Sequence, residues 1–212
     1  MFGKRSLRLA GLNLVLVLVL SLGFGAVQAQ DKKVLVTGIS MVGGDIPTID
    51  PGLAETSSSI EVINQIFLGL TAQEGTTGDP ELGLAESFSI SEDGKTFTFN
   101  LLQNVPWVRY NPETDAVEQV MDESGSPRLV TAQDVVYGML RSLNPETASP
   151  YSYVLVPYIV GAAEYNAGEG AAEDVAVTAV DDFTVEITAP DAVSFAPSIY
   201  GLWMARPVPQ WA

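Results

Sequence analysis

From residue 86 the chain alternates. In ESFSISEDGKTFTFNLL (86–102), Phe88 and Ile90 take every second place of one run, and Phe97, Phe99 and Leu101 take every second place of the next. A period of two is the strand period, because successive side chains leave a strand on opposite faces. Asp93-Gly94 between the runs suits the positive φ of a tight turn, so the stretch predicts a hairpin with its apolar residues on one face. The pattern returns in VAVTAVDDFTVEIT (175–188), where Val175, Val177 and Ala179 face Phe183, Val185 and Ile187 across Asp181-Asp182. A third, less regular hairpin is expected within 105–130. VEQVM forms one arm, Asp122 to Ser126 the turn and PRLV the other arm, with Trp107 plugging the edge of the core.

Elsewhere the period lengthens. SSSIEVINQIFLGL (57–70) carries Ile60, Ile63, Ile66 and Phe67 at helical spacing. Ser58 and Glu61 fit a capping box, and Gly69 is placed to end the helix in a left-handed conformation. TAQDVVYGMLRSLNP (131–145) is a second helix, with Val135, Val136, Met139, Leu140 and Leu143 as its buried stripe. Thr131 caps it with Asp134 three residues on, and Asn144-Pro145 stops it. KVLVTGI (33–39) reads as a strand, residues 41–53 as a Gly-, Pro- and Asp-rich loop, and 154–168 as partly helical. The fold class is α/β, a mixed sheet with flanking helices around one core. The tail SIYGLWMARPVPQWA (198–212) is apolar and proline-rich, and an end of this kind is expected to be covered by more protein.

The first 29 residues follow another logic. Lys4, Arg5 and Arg8 precede a long apolar run that ends in Val27-Gln28-Ala29. This is the pattern of a secretory signal peptide cut after Ala29; the run is also long enough to be retained as an anchor. Residues 30–212 then form the mature domain. Removing the three basic residues takes the formal net charge from −16 to about −19. Such a surface repels nucleic acid and anionic lipid.

The 212 residues contain no cysteine and no histidine. An exported chain without cysteine has no disulfide and cannot be a lipoprotein acylated at its cut site. Without histidine, Ser-His-Asp triads and His-ligated zinc are excluded, and no phosphate-binding glycine loop or calcium loop occurs. Carboxylate pairs as in a glycosidase remain the enzymatic possibility. Glu173-Asp174 and Asp181-Asp182 sit at turns, where acids ordinarily cap or are solvated. A binding protein needs none of the missing groups: it needs a scaffold, converging loops and a few polar or aromatic contacts.

Four stretches, PELGLAESFSISEDGKTFTFNL (80–101), Trp107, LVTAQDVVYGMLRSLNPETASPY (129–151) and VTAVDDFTVEIT (177–188), resemble in that order the extracytoplasmic solute-binding proteins of peptide ABC importers. The oligopeptide-binding branch is the nearest, and the resemblance runs from about residue 34 onward. It implies a two-lobed clamshell that closes over a peptide, a permease as docking partner, a monomer, no cofactor and no catalysis. This chain would be part of the first lobe of such a clamshell. Aligned on Asp50-Pro51 and Phe67-x-Gly69-Leu70, the resemblance places Glu55 and Ser57 near the cleft, and Tyr151 of Ser149-Pro150-Tyr151 facing the peptide. Tyr151 packed on its own lobe is the competing reading; Tyr153, Tyr137 and Trp107 are read as structural. The same family also offers nickel, haem or an oligosaccharide as solute. Two departures stand out: an extra hairpin-sized segment at 108–128, and a chain that stops under halfway through the family pattern, as a fragment would.

Overall fold

In the computed structural model the described residues are Gly38, 45–73, 75–77 and 79–212. Residues 1–38 and 39–212 form separate units, and every element below belongs to the second. The leader and the strand expected over 33–39 fall outside the described residues, apart from Gly38. Among the described residues no helix is long and apolar enough to cross a membrane.

The two alternating stretches build one four-stranded antiparallel sheet. Its strands are β3 (Ala85–Ile90), β4 (Thr96–Leu101), β7 (Val177–Asp181) and β8 (Thr184–Thr188), in the order β3-β4-β8-β7. Phe88 pairs with Phe99, and Phe97 with both Ile90 and Ile187. Phe97, Phe99, Leu101, Val185 and Ile187 are buried on one face, while Asn100 and Glu186 face solvent. That is the expected division of an antiparallel sheet covered on one side. At the first turn Gly94 takes φ +74, and Asp93 accepts hydrogen bonds from Ser91 Oγ (2.5 Å) and Lys95 N (3.1 Å). The Ser91 hydroxyl, followed by the Lys95 amide, holds the Asp93 carboxyl below its ordinary value. All strand pairings among the described residues are antiparallel.

The cover is α2 (Ala132–Leu143), whose Val135, Met139 and Leu143 are fully buried, with Val136 and Leu140 at the margin. The Asp134 carboxylate accepts from Thr131 N (2.8 Å), Thr131 Oγ1 (3.2 Å) and Trp107 Nε1 (3.2 Å). One buried acid therefore starts the helix and ties Trp107 to it. At the other end Asn166, the last residue of α4 (Ala162–Asn166), donates through Nδ2 to Leu143 O at 2.7 Å.

α1 (Ser57–Ile66) departs from expectation at both ends. Thr56, not Ser58, caps it, accepting from Ser59 N at 3.2 Å. The helix stops when Phe67 turns extended (φ −116), without a left-handed glycine. Gly69 serves space instead: a Cβ there would lie 1.8 Å from Arg206 Nη1.

The 105–130 segment contains one strand more than expected. VEQVM and PRLV do approach, through the Met121–Pro127 bridge and the Asp122 N to Ser126 O bond (2.8 Å). In addition β5 (Val108–Asn111) pairs with β6 (Ala116–Gln119). That extra strand lies between Pro106 and Pro112, outside the two arms expected. Its turn is set by Asn111, which accepts from Glu113 N (2.9 Å), and by Asp115 at φ +48. A further short pair, β1 (Thr71–Gln73) and β2 (Pro80–Leu82), completes the strands among the described residues.

The apolar tail is packed rather than bare. α5 (Ala196–Tyr200) buries Tyr200 against Phe97 and Phe99, with ring centroids 5.6 and 6.2 Å away. The Tyr200 hydroxyl donates to Tyr158 O (2.7 Å), and burial pushes its pKa well above the ordinary range. Met204 and Ala205 are buried, Ser142 Oγ donates to Met204 O (2.7 Å), and Val208 N donates to Asp134 O (3.0 Å). The chain's own α2 therefore covers much of the stretch expected to need additional protein; Trp211 remains 43% exposed.

Candidate functional site

The loop before α1 is fixed at its base. Asp50 takes a bidentate pair from Arg141 of α2 (2.8 and 2.7 Å) and also accepts from Gly52 N (3.0 Å). Two parallel charge-assisted bonds set an angle as well as a distance. Asp50→Ala is expected to destabilise the chain by about 1–2 kcal/mol, since the pair is partly solvated. A urea titration with unchanged midpoint would show that the loop is held otherwise.

From that base the loop runs through buried Ala54 to Glu55 and Ser57, both exposed. Ala54 O accepts from Trp203 Nε1 at 3.3 Å. Trp203 belongs to a short turn in the tail, Trp203–Ala205. Its ring meets Tyr151 edge-on, 4.9 Å between centroids at 77°. Tyr151 is half-buried, and Tyr153 stacks on it at 5.9 Å and 29° while staying 64% exposed. Pro145–Thr147 forms a short turn, Ala148 takes a left-handed φ of +51, and Tyr151 then precedes α3 (Ser152–Leu155). Two of the three proposed contact residues, Glu55 and Ser57, thus directly follow a backbone carbonyl that is hydrogen-bonded to the same indole that the third, Tyr151, meets edge-on. Tyr153, read as structural, is an exposed ring on this ledge. Trp107 does pack at the margin of the core, between Phe67 and Trp211.

Trp203 is the functional candidate that the sequence did not reveal. Its signal was an indole in an apolar tail, and nothing local connects it to residues 54 or 151. It also lines a cavity of about 380 Å³ with Ile60, Asn64, Gln73 and Arg206.

The arrangement offers the aromatic surface of Tyr151 and Tyr153 and the exposed side chains of Glu55 and Ser57. Asp174 accepts from Ala171 N (3.3 Å), and Asp181 from Phe183 N (2.8 Å) and Thr184 Oγ1 (3.0 Å). Both acids serve their turns. Among the described residues no group of acids has the arrangement to hold a metal ion.

Residues 79–211 match the family model for bacterial extracellular solute-binding proteins, family 5 Middle. The oligopeptide-binding protein OppA of Bacillus subtilis is 36% identical over 190 residues, 87% of this chain and 31% of that protein. Listeria monocytogenes OppA bound to peptide superposes with a TM-score of 0.65 at 29% identity, over 78% of this chain and 29% of that one. Haemophilus influenzae OppA in complex with RPPGFSPFR gives 0.64 at 29% identity, over 77% and 29%. The chain thus spans about three-tenths of the length of these relatives. With a family match across most of its length and a matching fold, the chain belongs to the bacterial extracellular solute-binding proteins of family 5.

Proposed function

We propose that this chain forms part of one lobe of a two-lobed protein that captures peptides outside the cytoplasmic membrane and hands them to the permease of an ABC importer. It acts as an exported, non-lipidated monomer, and it grips its ligand without reacting with it. The observation that carries this reading is the shared support of Tyr151 and the 54–57 loop on Trp203, in a fold whose solved relatives include peptide complexes. Exposed rings give a peptide apolar contact at low entropy cost, and the exposed Glu55 and Ser57 add polar side chains beside them. Glu55, Ser57 and Tyr151 are the residues assigned to contact.

Titrating the chain with short peptides, nickel and an oligosaccharide, followed by NMR shifts, tests the assignment. Peptides alone are expected to shift the ledge resonances. In a full-length, two-lobed version Tyr151→Ala should weaken peptide binding about tenfold, the loss typical of an aromatic contact. Unchanged affinity with a lower melting temperature would return Tyr151 to packing on its own lobe.

A further inference from the structure

The C-terminal end of α2 gathers segments that lie far apart in sequence. Arg141 holds Asp50, at the base of the loop that runs to Ser57. Its neighbour Ser142 donates through Oγ to Met204 O, in the turn that carries Trp203. Asn144, which ends the helix, accepts from Glu146 N at 2.9 Å and so starts the turn that leads to Tyr151. Each segment therefore has one end on the same rigid body. Trp203 joins them again further out. An indole has a single donor, its Nε1–H, and here Ala54 O accepts it at 3.3 Å. The same ring meets Tyr151 edge-on at 4.9 Å. An indole turns about only two χ angles, so a directed bond and a ring contact leave it one orientation. Its backbone is held as well: Arg206 N donates to Trp203 O at 3.2 Å, and Met204 beside it is buried.

Ala54 O directly precedes Glu55, and Tyr151 lies across the indole from it. The spacing between the groups assigned to the peptide is thus set through Trp203, not by either segment alone. A ligand that must meet both at once gains from having them preorganised, and a misplacement of about 1 Å undoes the gain. We infer that Trp203 is a positioning residue: acting through its neighbours, it holds Tyr151 and the Glu55–Ser57 stretch in register, so that one peptide meets both. The role rests on the peptide reading above and adds to it a residue whose effect on affinity is transmitted. Phenylalanine at 203 would keep an aromatic edge for Tyr151 and lose the donor to Ala54, which separates the bond from the packing.

The test has a ligand-free part and a ligand part. In the chain without ligand, Trp203→Phe should move the Glu55 and Ser57 amide resonances and leave those of β4 in place. A residue that only packs would lower the melting temperature and leave the loop amides where they are. In a full-length, two-lobed version titrated with tri-, tetra- and penta-alanine, Trp203→Phe should weaken binding about fivefold, the worth of one neutral hydrogen bond. Losses that act through one shared arrangement do not add. Trp203→Phe combined with Tyr151→Ala should therefore bind little worse than Tyr151→Ala alone, and the full product of the single losses overturns the role. Loop amides unmoved, or an affinity unchanged in Trp203→Phe, also overturns it and leaves peptide capture standing. A parent that binds none of these peptides removes both. Should Trp203→Phe fail to fold, the unmutated protein decides. Bound peptide should slow exchange of the Trp203 indole Nε1 proton at least about fivefold, because fixing the loop fixes its acceptor; exchange at the same rate sinks the role.

Discussion

Phe97→Ala is expected to remove about 3–5 kcal/mol of stability, the usual cost of emptying an aromatic site in a core. Phe97 is fully buried in β4, the second strand of the sheet, and its ring meets Tyr200 edge-on at 74°. Two losses combine: the transfer of the ring from water, and an aromatic pair worth about 0.5–1.5 kcal/mol beyond its area. The void would not close easily, because Phe97 is flanked by β3 and β8 and roofed by the tail helix. For a chain whose total stability is about 5–15 kcal/mol, this is a large fraction. In urea the midpoint should fall by about 2 M at a slope typical of small proteins. Asn100→Ala, on the solvent face of the same strand, should stay within about 0.5 kcal/mol. Equal effects of the two would mean that the faces of β4 are assigned the wrong way round.

That contrast is legible in the alternation itself, because a period of two leaves one arrangement in which Phe97, Phe99 and Leu101 are all covered. α2 is equally plain: its stripe and its Thr131–Asp134 start are local features, and a local pattern survives folding unchanged. Features that depend on distant partners are not legible in this way. Gly69 looks like a helix stop because a glycine after an amphipathic run usually is one. Its actual neighbour, Arg206, lies more than a hundred positions away. β5 is hidden by prolines at 106 and 112 that sit outside its pairing residues. The tail reads as an uncovered apolar end because apolar character shows that a stretch is buried, but not against what. For the candidate site, the resemblance supplied Glu55, Ser57 and Tyr151. Trp203, which ties two of these segments together, reaches them only because the tail folds back between them.

The Gly138→Ala substitution sets local propensity against that long-range fit. In the interior of a helix, alanine is favoured over glycine by about 1 kcal/mol. On that ground alone the variant should be more stable. At residue 138, however, the new Cβ would lie 2.2 Å from Arg206 O and 3.2 Å from Val208 N. Both are backbone atoms, which cannot swing aside as the end of a side chain can. The tail would have to lift from α2, straining the Ser142 Oγ to Met204 O and Val208 N to Asp134 O bonds. Overpacking and weakened hydrogen bonds together outweigh the helix gain, for a net loss of about 2–3 kcal/mol. The melting temperature should drop by about 5–10 °C, and the Val208 amide should exchange faster. Ser142→Ala removes one of the same bonds without adding bulk, and should cost about 1 kcal/mol with the tail still seated. A Gly138→Ala chain that melts higher than the parent would place the tail away from α2. Arg206 and Trp203 reach their positions along that tail, so the cavity and the support of Tyr151 would be lost from the description together.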